Sequence, residues 1–175
     1  LVRGLKAAQY KLRRFSATVG AAGRRMVTAS AAMAAPLLMA TKMFSSMGDE
    51  VAKMSKRTGV SVETLSELRY VASQTGTEFG TLENGLRKMQ RSIYDAGRGL
   101  STQTEAFADL GLEFKDLDGL LPEAQFKKLA DAISKVDDPT RKAAISMAIF
   151  GRTGTNLLPM FEQGAAGIDK LQKKA

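Results

Sequence analysis

The chain has 175 residues and a net charge of +8, and it contains no cysteine, histidine or tryptophan. A disulfide frame, a thiolate metal site and a thiol nucleophile are therefore excluded, and the commonest general base and commonest metal ligand are missing as well. The length suits one domain, or one domain with an extended arm. The chain starts at Leu1 and ends Lys173-Lys174-Ala175, which reads as a segment of a longer polypeptide.

The charge is unevenly placed. Residues 1–25 carry Arg3, Lys6, Lys11, Arg13, Arg14, Arg24 and Arg25 and no acid, while residues 26–175 hold 19 basic and 18 acidic side chains. A basic arm therefore precedes a nearly neutral body. Such an arm suits nucleic acid, an anionic lipid surface or an acidic protein lumen, or it is simply a solvated helix flank.

Residues 1–20 read as a basic amphipathic helix, with Leu1, Leu5, Ala8, Leu12, Phe15 and Val19 at helical spacing. Met26 to Thr41 is uncharged and rich in Ala and Met. It falls short of the roughly 20 apolar residues that span a bilayer, and Pro36 weakens a spanning reading further. Its register is more informative. Met26, Ser30, Met33, Leu37, Ala40, Phe44, Met47, Val51 and Met54 step by four and three alternately. That is a heptad seam with one polar position, about 43 Å long at ~1.5 Å per residue. Over Met26 to Thr41 the charges that flank a soluble coiled coil are missing, so the expected role is self-association, in a helix enclosed by something else or one that meets lipid at some stage. Packing on its own domain is the simpler alternative.

Thr58 to Ile93 reads as two helices and a turn, punctuated by Gly59 and Gly76. Ser61 is the expected N-cap, Val60 and Leu65 form a hydrophobic staple, and Glu63 sits in the first turn. Val62, Leu65, Leu68 and Val71/Ala72 form one face, and Phe79, Leu82, Leu86, Met89 and Ile93 form the next. Ser101 is expected to cap a short helix through Leu110. A connector with Leu112, Phe114, Leu117 and Leu120 follows. Pro122 and Asp138-Pro139 start two further helices, with Phe126, Leu129, Ile133 and Val136 inward in the first. Ala144, Ile145, Ala148 and Ile149 form the face of the second. Phe150-Gly151 closes it, and Thr155 starts a short helix to Phe161 before a final turn with Ile168 and Leu171. No period-two run predicts a strand. The expected fold class is all-α, with long N-terminal helices bearing the heptad seam followed by short helices. The division falls at residues 1–57, the helical arm, and 58–175, the multi-helix region.

Catalytic constellations do not emerge. Gly80 to Gly85 has phosphate-loop glycine spacing, but Leu86 and Arg87 stand where Lys and Ser/Thr are required. Asp116/Asp118 and Asp137/Asp138 fall at turns and caps. Arg87, Lys88 and Arg91 read as a solvated face with Glu83 and Asp95 as partners. No catalytic residue, cofactor or metal site is expected, and the chain is not read as an enzyme.

Several segments, in order, resemble the tape measure proteins of long-tailed bacteriophages and related prophages. They are Lys56-Arg57-Thr58-Gly59-Val60-Ser61-Val62-Glu63-Thr64-Leu65-Ser66-Glu67-Leu68-Arg69, Ala72-Ser73-Gln74-Thr75-Gly76, Leu86-Arg87-Lys88-Met89-Gln90, Ala106-Phe107-Ala108-Asp109-Leu110-Gly111-Leu112, Asp137-Asp138-Pro139-Thr140-Arg141 and Ile149 to Pro159. The most specific part is the run Phe-Gly-Arg-x-Gly-x-x-Leu-Leu-Pro at Phe150 to Pro159. The resemblance covers about residues 43–161. It implies a long, helical, multicopy protein of the virion that lies in the tail-tube lumen, sets tail length during assembly in the host cytoplasm, and leaves through the tail tip at DNA ejection. It further implies association with itself, as a homotrimer or other parallel oligomer, and contact with tail-tube and tail-tip or baseplate proteins. Transient contact with the host membrane is also implied; a DNA contact by the basic arm is not favoured. The alternative is a membrane-inserting helical protein that uses residues 1–47 to aid passage of a genome or effector across the host envelope.

Overall fold

A computed structural model describes residues 47–175, and all regular structure in that range is helical. The elements are α1 (47–58), α2 (Val62–Gln74), α3 (Phe79–Gly97), α4 (Ser101–Ala108), α5 (Pro122–Ser134), α6 (Pro139–Phe150), α7 (Leu158–Phe161) and α8 (Gly164–Gln172). Two 3-10 turns, Phe114–Asp116 and Gly154–Leu157, join α4 to α5 and α6 to α7. Asp49–Ala175 forms one compact unit. The body thus begins at Asp49 rather than at residue 58. The physical reason lies in α1, whose Val51 and Met54 are buried in the core.

Local chemistry sets the breaks. The Thr58 hydroxyl donates to the Met54 carbonyl (2.8 Å), and the Gly59 N–H donates to Ser55 (2.8 Å). Gly59 then turns the chain at φ 71°, where a side chain would be strained. Ser61 Oγ accepts from the Thr64 N–H (3.1 Å) and caps α2. Val60 and Leu65 are fully buried, as a hydrophobic staple requires. Asp138 Oδ1 accepts from the N–H groups of Thr140 (2.7 Å) and Arg141 (3.1 Å), with Pro139 at the first helical position. Each such cap contributes about 1 kcal/mol.

The centre of the body is α3, which packs against α2, α4, α5, α6 and both 3-10 turns. Its buried stripe is Leu82, Leu86, Met89 and Ile93, with Phe79 partly covered. The helix α8 closes the other side, against α2, α5 and α7. Two polar links hold it there. Gln172 donates to Glu67 (3.0 Å), and Lys127 pairs with Asp169 (2.6 Å). Between these layers the rings of Phe126, Phe150 and Phe161 meet at centroid distances of 5.2–6.0 Å. They bring α5, α6 and α7 to one aromatic cluster, with edge contacts each worth about 0.5–1.5 kcal/mol beyond area burial.

Three local expectations differ from what is observed. Val62 is exposed, because the first helical residue of α2 lies outside the Leu65–Leu68–Ala72 face. Ala144 is also exposed; Ser146 takes a buried place on α6 instead, its hydroxyl satisfied by the Lys142 carbonyl (2.8 Å). Ser101 is the first residue of α4 and does not cap it; Leu100 stands at the cap without a side-chain bond, and the helix ends at Ala108.

Candidate functional site

Of the heptad seam, only the last part falls within the described residues. Met47 is half-buried, and Val51 and Met54 are buried against this chain's own core. Met26, Met33, Leu37, Ala40 and Phe44 lie outside the described residues. So do Arg3, Lys6, Lys11, Arg13, Arg14, Arg24 and Arg25 of the basic arm. The seam's end therefore serves the fold of the body.

The glycines of the motif-like stretches serve close packing. Gly85 lies inside α3, and a Cβ there would sit 2.5 Å from Leu157 Cδ1. Gly154 lies under α6, and a Cβ there would fall on the Ser146 carbonyl oxygen. Gly151 ends α6 at φ 82°, with the stem of Lys88 against it. Phe150, Gly154 and Leu157 of the Phe-Gly-Arg run are all buried. That run is a packing junction between α3, α6 and α7.

The charged cleft between α4, α5 and α6 has a volume of about 580 Å³. Its charges are largely satisfied within the chain. Arg141 pairs with Asp109 (2.8 Å), Lys135 pairs with Asp131 (2.6 Å), and Asp138 is engaged as the α6 cap. Among the described residues no group of three or more Asp or Glu side chains could hold a metal ion.

The outer face of α3 is different. Asp95 accepts both contacts of the Arg91 Nε (2.9 and 3.0 Å), and this hydrogen bond, then its charge, raises the Arg91 pKa above the ordinary value. Glu83 turns away from Arg87 and pairs with Arg57 of α1 (2.9 Å). Arg87, Lys88 and Arg98 consequently form no ion pair among the described residues. Tyr94 stands between two cations, with Arg91 5.9 Å and Arg98 5.8 Å from its ring centroid.

Beside Tyr94 opens a mainly apolar groove of about 460 Å³. Phe114 forms part of its wall. Its ring lies so close to α3 that a Cβ at Gly97 would be 2.7 Å from Phe114 Cε2. Leu120 and Pro122 also line the groove. The two glutamines in the lining are already engaged: Gln90 donates to the Thr58 carbonyl and Gln125 to the Leu117 carbonyl (2.9 Å). The charged residues of the rim are Arg98 and Asp118, both exposed and neither paired among the described residues. Nothing in the sequence reading marked this groove. Its one early sign was Tyr94, an aromatic residue that lies off the Phe79–Ile93 stripe.

No helix of the described residues is long and apolar enough to cross a membrane. No protein-family profile, no curated protein and no solved structure matches the chain.

Proposed function

We propose that the chain is a segment of a bacteriophage tail tape measure protein, with long N-terminal helices whose seam, from Met26 to Phe44, assembles parallel copies in the lumen of a tail tube, its last positions Val51 and Met54 being taken up by the body's own core. The observation that carries this reading is the ordered set of motif segments from Lys56 to Pro159. The helical body supports it by giving those segments a shared purpose. Thr58-Gly59-Val60-Ser61 makes the α1–α2 junction, Asp138-Pro139 starts α6, and Phe150 to Pro159 locks α6 and α7 onto α3. The neutral body fits the same role. Residues 49–175 carry 18 basic and 18 acidic side chains, so copies held close together meet little net repulsion. The basic arm of residues 1–25 would face an acidic lumen.

The test is the chain's fate in particles. Peptides of residues 49–175 should be found by mass spectrometry in intact virions produced by the phage or prophage that encodes it. They should be depleted from tails after DNA ejection. Absence from intact virions, or equal retention after ejection, would remove this reading.

A further inference from the structure

We infer that the outward stripe of α3 is a binding face for the phosphate backbone of duplex DNA, with Arg87, Arg91 and Arg98 as its phosphate contacts and Lys88 and Arg152 at its flank. The inference goes beyond the tape measure reading and does not rest on it. The basic arm of residues 1–25 takes no part in it.

The stripe follows from helical register. Arg87, Arg91, Tyr94 and Arg98 step by four, three and four, and all are exposed, opposite the buried Leu82, Leu86, Met89 and Ile93. At ~1.5 Å per residue the three arginines are spread over about 16 Å. The body as a whole is balanced in charge, but this stretch is not: Asn84 to Leu100 holds four cations and one acid, Asp95. That acid is buried, and its carboxylate accepts from the Nε of Arg91, so both terminal amino groups of Arg91 are left to donate outward. The Tyr94 ring lies beside the guanidinium groups of Arg91 and Arg98 and limits their freedom. Arg87, Lys88, Arg98 and Arg152 form no ion pair among the described residues, and Asp118, which shares the groove lining with Arg98, is not paired with it. Lys88 lays its stem against Gly151, and the exposed Arg152 follows directly. The result is a row of cations, two of them held in place, with little negative charge beside it.

The arrangement decides the occupant. Cations strung along a line suit a polymer of regular negative charge, whereas a small anion needs donors that converge on one point. From Arg87 to Arg98 the stripe carries one aromatic side chain and no aliphatic one, because the aliphatic side of α3 is turned into the core. A protein partner draws affinity from a dry apolar centre, and a membrane surface from an apolar helix face; neither is present along this stripe. Duplex DNA needs neither. Neutralising its phosphates releases condensed counterions, which supplies affinity through charge alone. A single strand gains instead from a row of stacking aromatics, and Tyr94 stands alone beside two guanidinium groups. Contacts confined to phosphates carry no preference for base sequence.

The test is fluorescence anisotropy of a labelled DNA duplex of mixed sequence, titrated with the full 175-residue chain at several salt concentrations. The parent carries Gln at every cation of residues 1–25, so that the arm contributes nothing. It should bind the duplex at low salt, with an affinity that falls steeply as salt rises. Arg87→Gln/Arg98→Gln/Arg152→Gln removes three cations that no ion pair in the body needs. It should weaken binding at least about tenfold and make the slope of log affinity against log salt shallower by about 2 to 3. Lys170→Gln/Lys173→Gln/Lys174→Gln removes the same charge from the exposed end of α8 and should change neither. Equal helical circular dichroism across the set separates loss of binding from loss of fold. If the arm-neutralised parent loses helicity, the two triple variants are compared in the native chain, where the difference between their slopes carries the same meaning. The inference is overturned by a parent that does not bind the duplex, or by a control triple that weakens binding as much as the stripe triple. Equal or tighter binding of the single strand overturns it too, as does displacement of the duplex by polyglutamate or phosphatidylserine vesicles at matched charge.

Discussion

Gly154 sits where the chain passes under the Ser146 carbonyl, and the position has no room for a methyl group. The obstacle is backbone in the middle of α6, which cannot move aside without distorting the helix. Gly85 presents a milder case, because its obstacle is the tip of the Leu157 side chain, which has rotamers to spare. Gly154→Ala should therefore cost about 2 kcal/mol or more in urea unfolding, at the upper part of the overpacking range, and Gly85→Ala clearly less. Equal small losses at both sites would contradict this account of the junction. At this scale the sequence was informative wherever a residue acts on its immediate neighbours. Ser61, Asp138, Pro139 and Gly151 occupy the caps and ends that their chemistry suggests. Gly154 was legible only as part of a run, because the carbonyl it makes room for belongs to a residue eight positions earlier.

At the scale of elements, α1 shows what periodicity can and cannot say. The four-and-three spacing correctly put Val51 and Met54 on one apolar face, but spacing does not name what the face meets. In the body it meets this chain's own core. Met54→Ala should consequently destabilise the folded chain by about 2–5 kcal/mol in chemical denaturation, as a cavity in a packed core does. The neighbouring exposed Lys53, whose ion pair with Asp49 lies in solvent, should change stability by well under 1 kcal/mol when replaced by Ala. If Met54→Ala left stability unchanged and altered only the oligomer, the residue would belong to an intermolecular seam instead. The same limit explains why the groove was not foreseen. Tyr94 and Leu120 are far apart in sequence, and only the 3-10 turn at Phe114, resting on the bare backbone of Gly97, brings them side by side. Similarly, the hairpin of α2 and α3 was legible as two helices. That α2 leans on α8, while α3 takes α6, depends on residues far along the chain: Glu67 and Gln172 are 105 positions apart, and Ser92 and Ile149 are 57 apart.

The whole molecule joins a neutral helical body to an N-terminal region in which the basic arm and most of the seam are found. The helical character of the described residues was legible because their apolar positions recur at helical spacing between clear stops. The proposed role divides the work between these parts. In that role the seam would gather copies along a tube axis, and the body would supply a folded unit. A ruler of this kind has a simple metric consequence: each helical residue added to the seam adds ~1.5 Å to the length being measured. The most direct test is an in-frame duplication of four heptads within the seam, made in the gene of the full-length protein, followed by electron microscopy of the tails. The account predicts intact tails longer by about 42 Å, set by the added rise alone. Intact tails of unchanged length, with the lengthened chain incorporated, would contradict it.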